Sequence, residues 1–534
     1  MRRSVAAGLA IAAIVTAIVL GNRVRRWNDE LALRAPPILR APWRIDDPRT
    51  PRLTGRVVLV VIDGLGAGEA RLPYLDELRR RGVAATARVR YPTISRPNYV
   101  TILTGVPPRD SGVRANRVEA PVAVDTIMDR VRAAGLRVAT VSDYGSLATL
   151  FVRHTRSLFG VDWIERGTQL APAPPLAWPF DEAHRAGSLD DLGRILAGLA
   201  ASDAAFVPVL VLDVDRAGHA AGVGDDYRAA AAAVDAMLRG ALAGLDLARD
   251  TVIVTADHGH VAPGGHGGDE PEVSQVPLVL AGKAIVPGAS ARDARLIDVV
   301  PTVAALLGVP APRHAEGRAL VELLALGPGD AARRAADDTA RSQRLAEIVA
   351  PPRTPSPSTA RLLAIVAALA ITAALARVAG RRGALIVTPA AITGAFGFAA
   401  MLVAIAIITR GHPSPSYVPS LARAVPLGAI GAAAAIALQV TASWRVLARA
   451  PDRLAAASGI ALVGLAVSIA AVAAAGAWFA PPYLDVPPPF WMVAIPALDL
   501  AASVCALAAA LTLTLALVRR YPGDTRTPTE PCRR

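Results

Sequence analysis

Six apolar stretches, each close to the length of a bilayer, limit what this chain can become. One lies at residues 4–22 (SVAAGLAIAAIVTAIVLGN), uncharged and preceded by Arg2 and Arg3. Five more follow at about 361–376, 384–409, 424–444, 456–480 and 491–518. A spanning helix needs about 20 consecutive apolar residues, and the 361–376 stretch is the short one. Between them, residues from about 45 to 325 alternate strand-like and helix-like segments at ordinary soluble polarity. The expected organisation is an N-terminal anchor (1–25), a catalytic domain (45–325), a juxtamembrane linker (326–360) ending in the Pro-rich PPRTPSPSTAR, a five-helix transmembrane domain (361–518) and a tail (519–534).

Arginine placement orients the bundle. With the N-terminus inside, the inner loops carry Arg377, Arg381 and Arg382, then Arg445, Arg449 and Arg453, and the tail carries five more. The opposite loops, 410–423 and 481–490, hold only Arg410 and Arg423. This is positive-inside asymmetry, and it places the 45–325 domain outside the cytoplasm. Arg23, Arg25 and Arg26 lie on the other side, ahead of a large translocated domain, where the rule is weak. The alternative for 4–22 is a cleaved signal peptide, against which no small-x-small cleavage site follows the apolar run.

The net charge of +13 resides largely in those inner loops, and no dense basic patch interleaves with aromatics, so nucleic acid is not the expected partner. Both cysteines, Cys505 and Cys532, lie outside the 45–325 domain. That domain therefore has neither a disulfide nor a thiolate metal site, and any metal must be held by Asp and His.

Charged residues recur where apolar runs end. Asp63 ends VVLVVID, Asp213 and Asp215 end FVPVLVLDVD with His219 beyond in DRAGH, Asp257 and His258 end TVIVTADH, and His266 sits in GGHGG. Short β-branched runs bounded by Gly and Asp read as buried parallel strands, and open α/β sheets bind ligands at the carboxyl ends of such strands. Singly, each residue has a plainer role: Asp63 can cap a helix and His219 can be a surface side chain. GLGAG after Asp63 imitates a dinucleotide loop but lacks the full fingerprint. Together with Ser95 the set suits two-metal phosphoryl transfer.

These segments resemble the alkaline phosphatase superfamily, and most closely its type I phosphodiesterase/nucleotide pyrophosphatase branch. VVIDGLG resembles the first metal-binding strand, YPTISRPNYVTILTG the nucleophile segment, and DRAGH, TADHG and GGHGG the remaining metal segments. LIDVVPTVAALLGVPAPRHAEGRAL resembles the closing strand-and-helix passage, and the likeness covers roughly 55–325. It implies an αβα sandwich with a mostly parallel sheet. It also implies two divalent ions, zinc with Mn²⁺ as a possible replacement: one held by Asp63, Ser95, Asp257 and His258, the other by Asp215, His219 and His266. Ser95 would be the nucleophile, and Asn116, 21 residues later, would donate to the phosphoryl group.

The chain departs from the branch in places. Ser95 stands where Thr is usual, Thr93 is a rival two residues earlier, and Tyr99 replaces a common His. The Cys-x-Pro-x-Arg signature of sulfatases is absent. SRPN is similar to the SRPG of the first GPI ethanolamine-phosphate transferase, whose family shares this membrane layout. The resemblance implies a membrane-bound phosphodiesterase or phosphatase acting on a phosphate ester, with a lipid among the candidate substrates. The alternatives are a phosphoethanolamine- or phosphoglycerol-type transferase acting on a lipid or glycan, and a non-enzymatic membrane protein. Specificity is expected in 115–205, including APAPPLAWPF.

Overall fold

The structure is a computed structural model describing residues 2–32, 37–41, 50–116, 118, 122–144, 150–151, 155–158, 161–166, 169–172, 181–349, 366, 370, 373–374, 376–478 and 486–518. The 361–376 stretch and most of APAPPLAWPF fall largely outside these residues.

Strand β1 (Val57–Ile62) is six aliphatic residues, every one buried. A strand apolar on both faces must be covered on both, which puts it mid-sheet between helices. It pairs in parallel with β8 (Phe206–Val211) on one side and β9 (Thr251–Thr255) on the other, both equally buried. With β2 (Gly82–Arg88), β3 (Ala139–Ser142), β7 (Glu182–Arg185) and β10 (Gln275–Gly282), the seven-stranded sheet runs β2-β10-β9-β1-β8-β3-β7, and only β10 is antiparallel to its neighbours. Helices Pro73–Arg81, Leu189–Ala201 and Asp225–Ala241 pack together on one side of it. Helices Ser95–Thr104, Ile127–Ala133 and Val299–Leu307 form another contacting group. The expected αβα sandwich with a mostly parallel sheet is the observed one. A separate antiparallel sheet, β4 (Thr155–Leu158), β5 (Val161–Arg166) and β6 (Gln169–Pro172), lies in the segment assigned to specificity.

The stretch read as a linker begins with a helix, Pro328–Ile348, that packs on this domain. Leu345 joins the core, and the Arg341 guanidinium donates to the Ala315 and Gly317 carbonyls at 2.7 and 2.6 Å.

Among the described residues, five helices are long and apolar enough to cross a membrane. Helix Arg2–Ala32 lies along helix Pro489–Val518, burying Ala6, Ala10, Ala13, Ala17 and Leu20. That spacing of four and three residues makes a narrow stripe of small side chains, which lets helix backbones approach closely. Ser503 Oγ donates to the Ala17 carbonyl at 2.8 Å. Arg2 pairs with Asp452 at one end of the bundle, and Arg23 Nε lies 3.3 Å from Asp499 Oδ2 toward the other. Asp499, buried inside helix Pro489–Val518, thus has a cation beside it. The sheet domain meets the bundle at loops 410–423 and 486–488: Tyr91 Oη donates to the Pro487 carbonyl at 2.8 Å.

Candidate metal centre

The sheet register brings the site together. Asp63 N–H donates to the Val211 carbonyl at 2.9 Å, carrying the β1–β8 ladder one residue past the strand. Asp257 and His258 leave β9 beside it, since Val61 is level with Thr255. Asp215 follows β8 on helix Asp213–Ala221, and His219 lies four residues on, along the same helix face. Gly64, at φ +77°, turns the chain away from β1. A Cβ there would come within 2.8 Å of the His260 ring and 2.9 Å of Asp215 Cα, so this glycine serves close approach to the centre. Tyr227 Oη pins the turn, donating to the Gly64 carbonyl at 2.6 Å.

Two clusters result. In the first, Asp63, Asp257 and His258 bring ligand atoms within 4.8 Å of one another, all buried. His258 Nε2 lies 3.5 Å from Asp63 Oδ1, 3.3 Å from Asp257 Oδ2 and 3.1 Å from Ser95 Oγ. Asp257 Oδ1 accepts from the Gly64 and His258 N–H groups at 3.1 and 3.0 Å, and Tyr99 Oη donates to Asp63 Oδ2. The remaining oxygens, Asp63 Oδ1 and Asp257 Oδ2, are buried with no hydrogen-bond donor. Uncompensated buried acceptors are costly, and two such carboxylate oxygens facing one imidazole nitrogen fit a cation. In the second cluster, His219, His266 and Asp215 converge: His266 Nε2 is 3.1 Å from His219 Nε2 and 3.8 Å from Asp215 Oδ1. The His258 and His266 rings stack at 3.8 Å and join the clusters.

The electrostatics agree with a missing positive charge. Burial, then the Asp257 and Asp215 charges, push the Asp63 carboxyl well above its ordinary range. Burial and Asp215 push Asp257 up to about 7. Burial also favours the neutral form of Asp215, but a hydrogen bond from His260 and the surrounding imidazoles outweigh it and hold Asp215 low. Burial drives His258 well below its usual value, His266 down to about 4, and His219 downward. Neutral imidazoles with free lone pairs are what metal ligation requires.

Ser95 opens helix Ser95–Thr104 after the extended Ile94. Thr93, the rival nucleophile, is committed elsewhere: its hydroxyl donates to the Gly268 carbonyl and accepts from Gly267 N–H, both at 2.9 Å. Asn116 is in neither cluster. Its Oδ1 accepts from Arg96 N–H at 3.0 Å, so the donor end of the same amide is the one left for a ligand at the helix start.

His260 was not singled out in the sequence. Its Nε2 lies 3.0 Å from Asp215 Oδ1 and its Nδ1 3.0 Å from the Gly264 carbonyl, which makes it both a support for Asp215 and a further potential ligand. The signal was its place in TADHGH, two residues past His258. Glycines at 64 and 218 make room for the ring, since a Cβ at either would lie 2.8 Å from Nε2.

Residues 57–263 match the family described as type I phosphodiesterase / nucleotide pyrophosphatase. The chain is 24% identical over 316 residues to the catalytic subunit of GPI ethanolamine phosphate transferase 3 from Mus musculus, covering 52% of this chain and 26% of the relative. It is 25% identical over 296 residues to the catalytic subunit of GPI ethanolamine phosphate transferase 2 from Homo sapiens, covering 51% and 28%. The chain thus spans about a quarter of the length of these curated relatives. Murine ectonucleotide pyrophosphatase / phosphodiesterase 5 superposes with a TM-score of 0.37 at 14% identity, covering 48% of this chain and 96% of that one. The resemblance read from the sequence is therefore found by the family match over residues 57–263 and by the curated relatives alike.

Proposed function

We propose that this chain is a membrane-bound, metal-dependent hydrolase of phosphate esters working through a Ser95-bound phosphoryl intermediate. The observation that carries the reading is Ser95 Oγ, 3.1 Å from His258 Nε2 and beside two buried carboxylate oxygens that lack donors. Asp63, Asp257, His258 and Ser95 would hold one divalent ion, and Asp215, His219 and His266 the other. Zinc suits these nitrogen and oxygen donors, with manganese as a replacement. When bound, the ions would lower the pKa of the Ser95 hydroxyl and offset phosphoryl charge.

The chain's own residues do the rest. Ser95 gives up its hydroxyl proton as Oγ attacks phosphorus. The P–O bond to the ester oxygen breaks and that oxygen leaves, taking up a proton as the alcohol. Water then cleaves the Oγ–P bond, returns a proton to Ser95 and releases phosphate from a monoester or a phosphomonoester from a diester. The positive end of helix Ser95–Thr104 faces the phosphoryl group, although Arg96 N–H is occupied by Asn116 and Pro97 has none to offer. The Asn116 side-chain amide donates to a non-bridging oxygen.

A second reading replaces water with an alcohol, making the protein a transferase of a phospho-alcohol group. It is favoured by similarity over about half the chain to proteins named as GPI ethanolamine phosphate transferases, and a lipid donor suits a site set against a helix bundle. In either case the catalytic domain would lie outside the cytoplasm, because it shares its end of the bundle with the arginine-poor loops.

The test uses full-length protein in lipid nanodiscs with aryl phosphodiester and phosphomonoester substrates, then membrane lipids with and without an added alcohol. Metal-dependent release of aryl alcohol, lost in Ser95→Ala, supports the hydrolase. A phosphorylated alcohol in place of free phosphate supports the transferase. Turnover unaffected by Ser95→Ala and by metal removal would sink both.

A further inference from the structure

His266 sits in a loop, Gly264–Glu270, with glycines at 264, 265, 267 and 268. Such a sequence is costly to hold in one conformation, because glycine loses the most backbone freedom on ordering. From the catalytic side, Thr93 holds it through Gly267, Gly268 and a 2.8 Å contact between the Thr93 carbonyl and His266 Nδ1. From the other side it is held by the membrane bundle. The loop joining helices Phe396–Ile408 and Leu421–Arg449 places the buried Ser416 against it. Ser416 Oγ accepts from Gly268 N–H at 2.8 Å and donates to Glu270 Oε2 at 2.7 Å. A Cβ on Gly265 would lie 2.0 Å from the Ser416 carbonyl oxygen, and one on Gly268 2.3 Å from Ser414 Oγ. The glycines that make the loop weak alone are those that admit its brace.

The same bundle reaches the other histidine of the second cluster. Arg423 Nη2 donates at 2.6 Å to the carbonyl of Ala220, the residue after His219. The hydrogen bonds and ion pairs of Asp63, Asp257 and His258 come instead from Gly64, Ser95, Tyr99, Gly259 and each other, all outside the Gly264–Glu270 loop, which meets this cluster through the stacked His258 and His266 rings.

We propose that the loop 409–420 is a positioning element of the catalytic centre: through Ser416 it fixes the Gly264–Glu270 loop so that His266 meets His219, and occupancy of the second metal site depends on the membrane bundle. This rests on the two-ion reading above. The bundle then acts on the chemistry through one ion and not the other.

Full-length protein in nanodiscs, stripped and titrated with zinc against a chromophoric chelator, gives stoichiometry and affinity site by site. Wild type is expected to bind two ions. Ser416→Ala removes both hydrogen bonds and is expected to weaken the second ion about tenfold or more, the scale of losses at groups that support a ligand. Ser416→Asp sets a carboxylate against Glu270 and is expected to leave one ion. The first ion keeps its affinity in both variants, and hydrogen exchange rises in 264–270. Two ions at wild-type affinity in both variants overturn the proposal. So does loss of both ions together, since the brace would then serve the whole domain. No ion in wild type is a different failure, that of the two-ion reading itself.

Discussion

The two clusters are a few ångströms apart and are built in opposite ways. Asp63, Asp257 and His258 hang from the ends of adjacent central strands and are at most 1% exposed. Asp215, His219 and His266 sit on a helix turn and a glycine loop, with the His219 side chain 40% exposed. The first cluster is fixed by the sheet, whose register leaves its carboxylates nowhere else to go. The second is fixed by contacts among a helix, a loop and the bundle. One half is thus rigid, set by strand register, and the other depends on contacts between segments distant in sequence.

The largest expected effect sits at the rigid half. Ser95→Ala should lower kcat by on the order of 10⁴ or more, as loss of a nucleophile typically does. It should leave the first cluster's other three ligands in place. Thr93→Ala should act on the other half, loosening His266 and weakening the second ion with a smaller loss of rate. Stopped-flow turnover with metal titration separates the two, and a greater kinetic loss in Thr93→Ala would reverse the assignment of nucleophile.

Next comes the order in which ions leave. The more exposed cluster, held by a helix turn and a glycine loop, should release its ion to a chelator before the buried one does. Metal content followed during dialysis against EDTA should pause at one ion per chain, and His219→Ala should begin at that plateau. Simultaneous loss of both ions would erase the distinction between the halves.

Asp257→Asn gives a smaller effect of unusual sign. It should abolish the first ion yet raise the melting temperature of metal-free protein at pH 8. A carboxyl whose folded pKa lies above its unfolded one gives stability that is present below the unfolded pKa and lost as pH rises through the folded value. For Asp257 that value is about 7. The advantage of Asn should therefore be smaller at pH 5 than at pH 8. Melting curves at the two pH values check it, and an Asn variant less stable at pH 8 would argue against repulsion in the cluster.

The same contrast explains what was legible in the sequence. VVLVVID and TVIVTADH announce buried strands with a carboxylate at the end, and strand register then does the rest, so the first cluster could be read off. The sequence placed Asp215 at the end of a strand, whereas the strand ends at Val211 and Asp215 shares a helix face with His219. What lay hidden was anything set by distant close approach. His260 beside Asp215 depends on two glycines, at 64 and 218, leaving room for a ring. The contact between Gly268 and Ser416 joins segments 148 residues apart, and nothing local in PSPSY signals it. Ring contacts in the bundle loops were equally hidden: Tyr417 stacks on His412 at 3.9 Å and Phe490 meets Trp491 edge-on at 4.8 Å.

Tyr99 falls between these cases, since the sequence showed only that it departs from the usual His. In the fold its buried phenol donates to Asp63 Oδ2, leaving Oδ1 to face His258 and the cation position. Burial, followed by the Asp63 charge, pushes the phenol well above its usual pKa, so it remains a donor at any working pH. It therefore orients Asp63 in the way that supporting hydrogen bonds orient metal ligands. Tyr99→Phe keeps the ring and removes the donor, leaving both Asp63 oxygens unsatisfied in the metal-free state. The first ion should bind about tenfold more weakly, the second should be unaffected, and the fold should survive because the ring still fills its place. Zinc titration of the variant decides between orientation and packing. An unchanged first affinity would mean that Tyr99 contributes packing alone and that the sheet by itself aims Asp63.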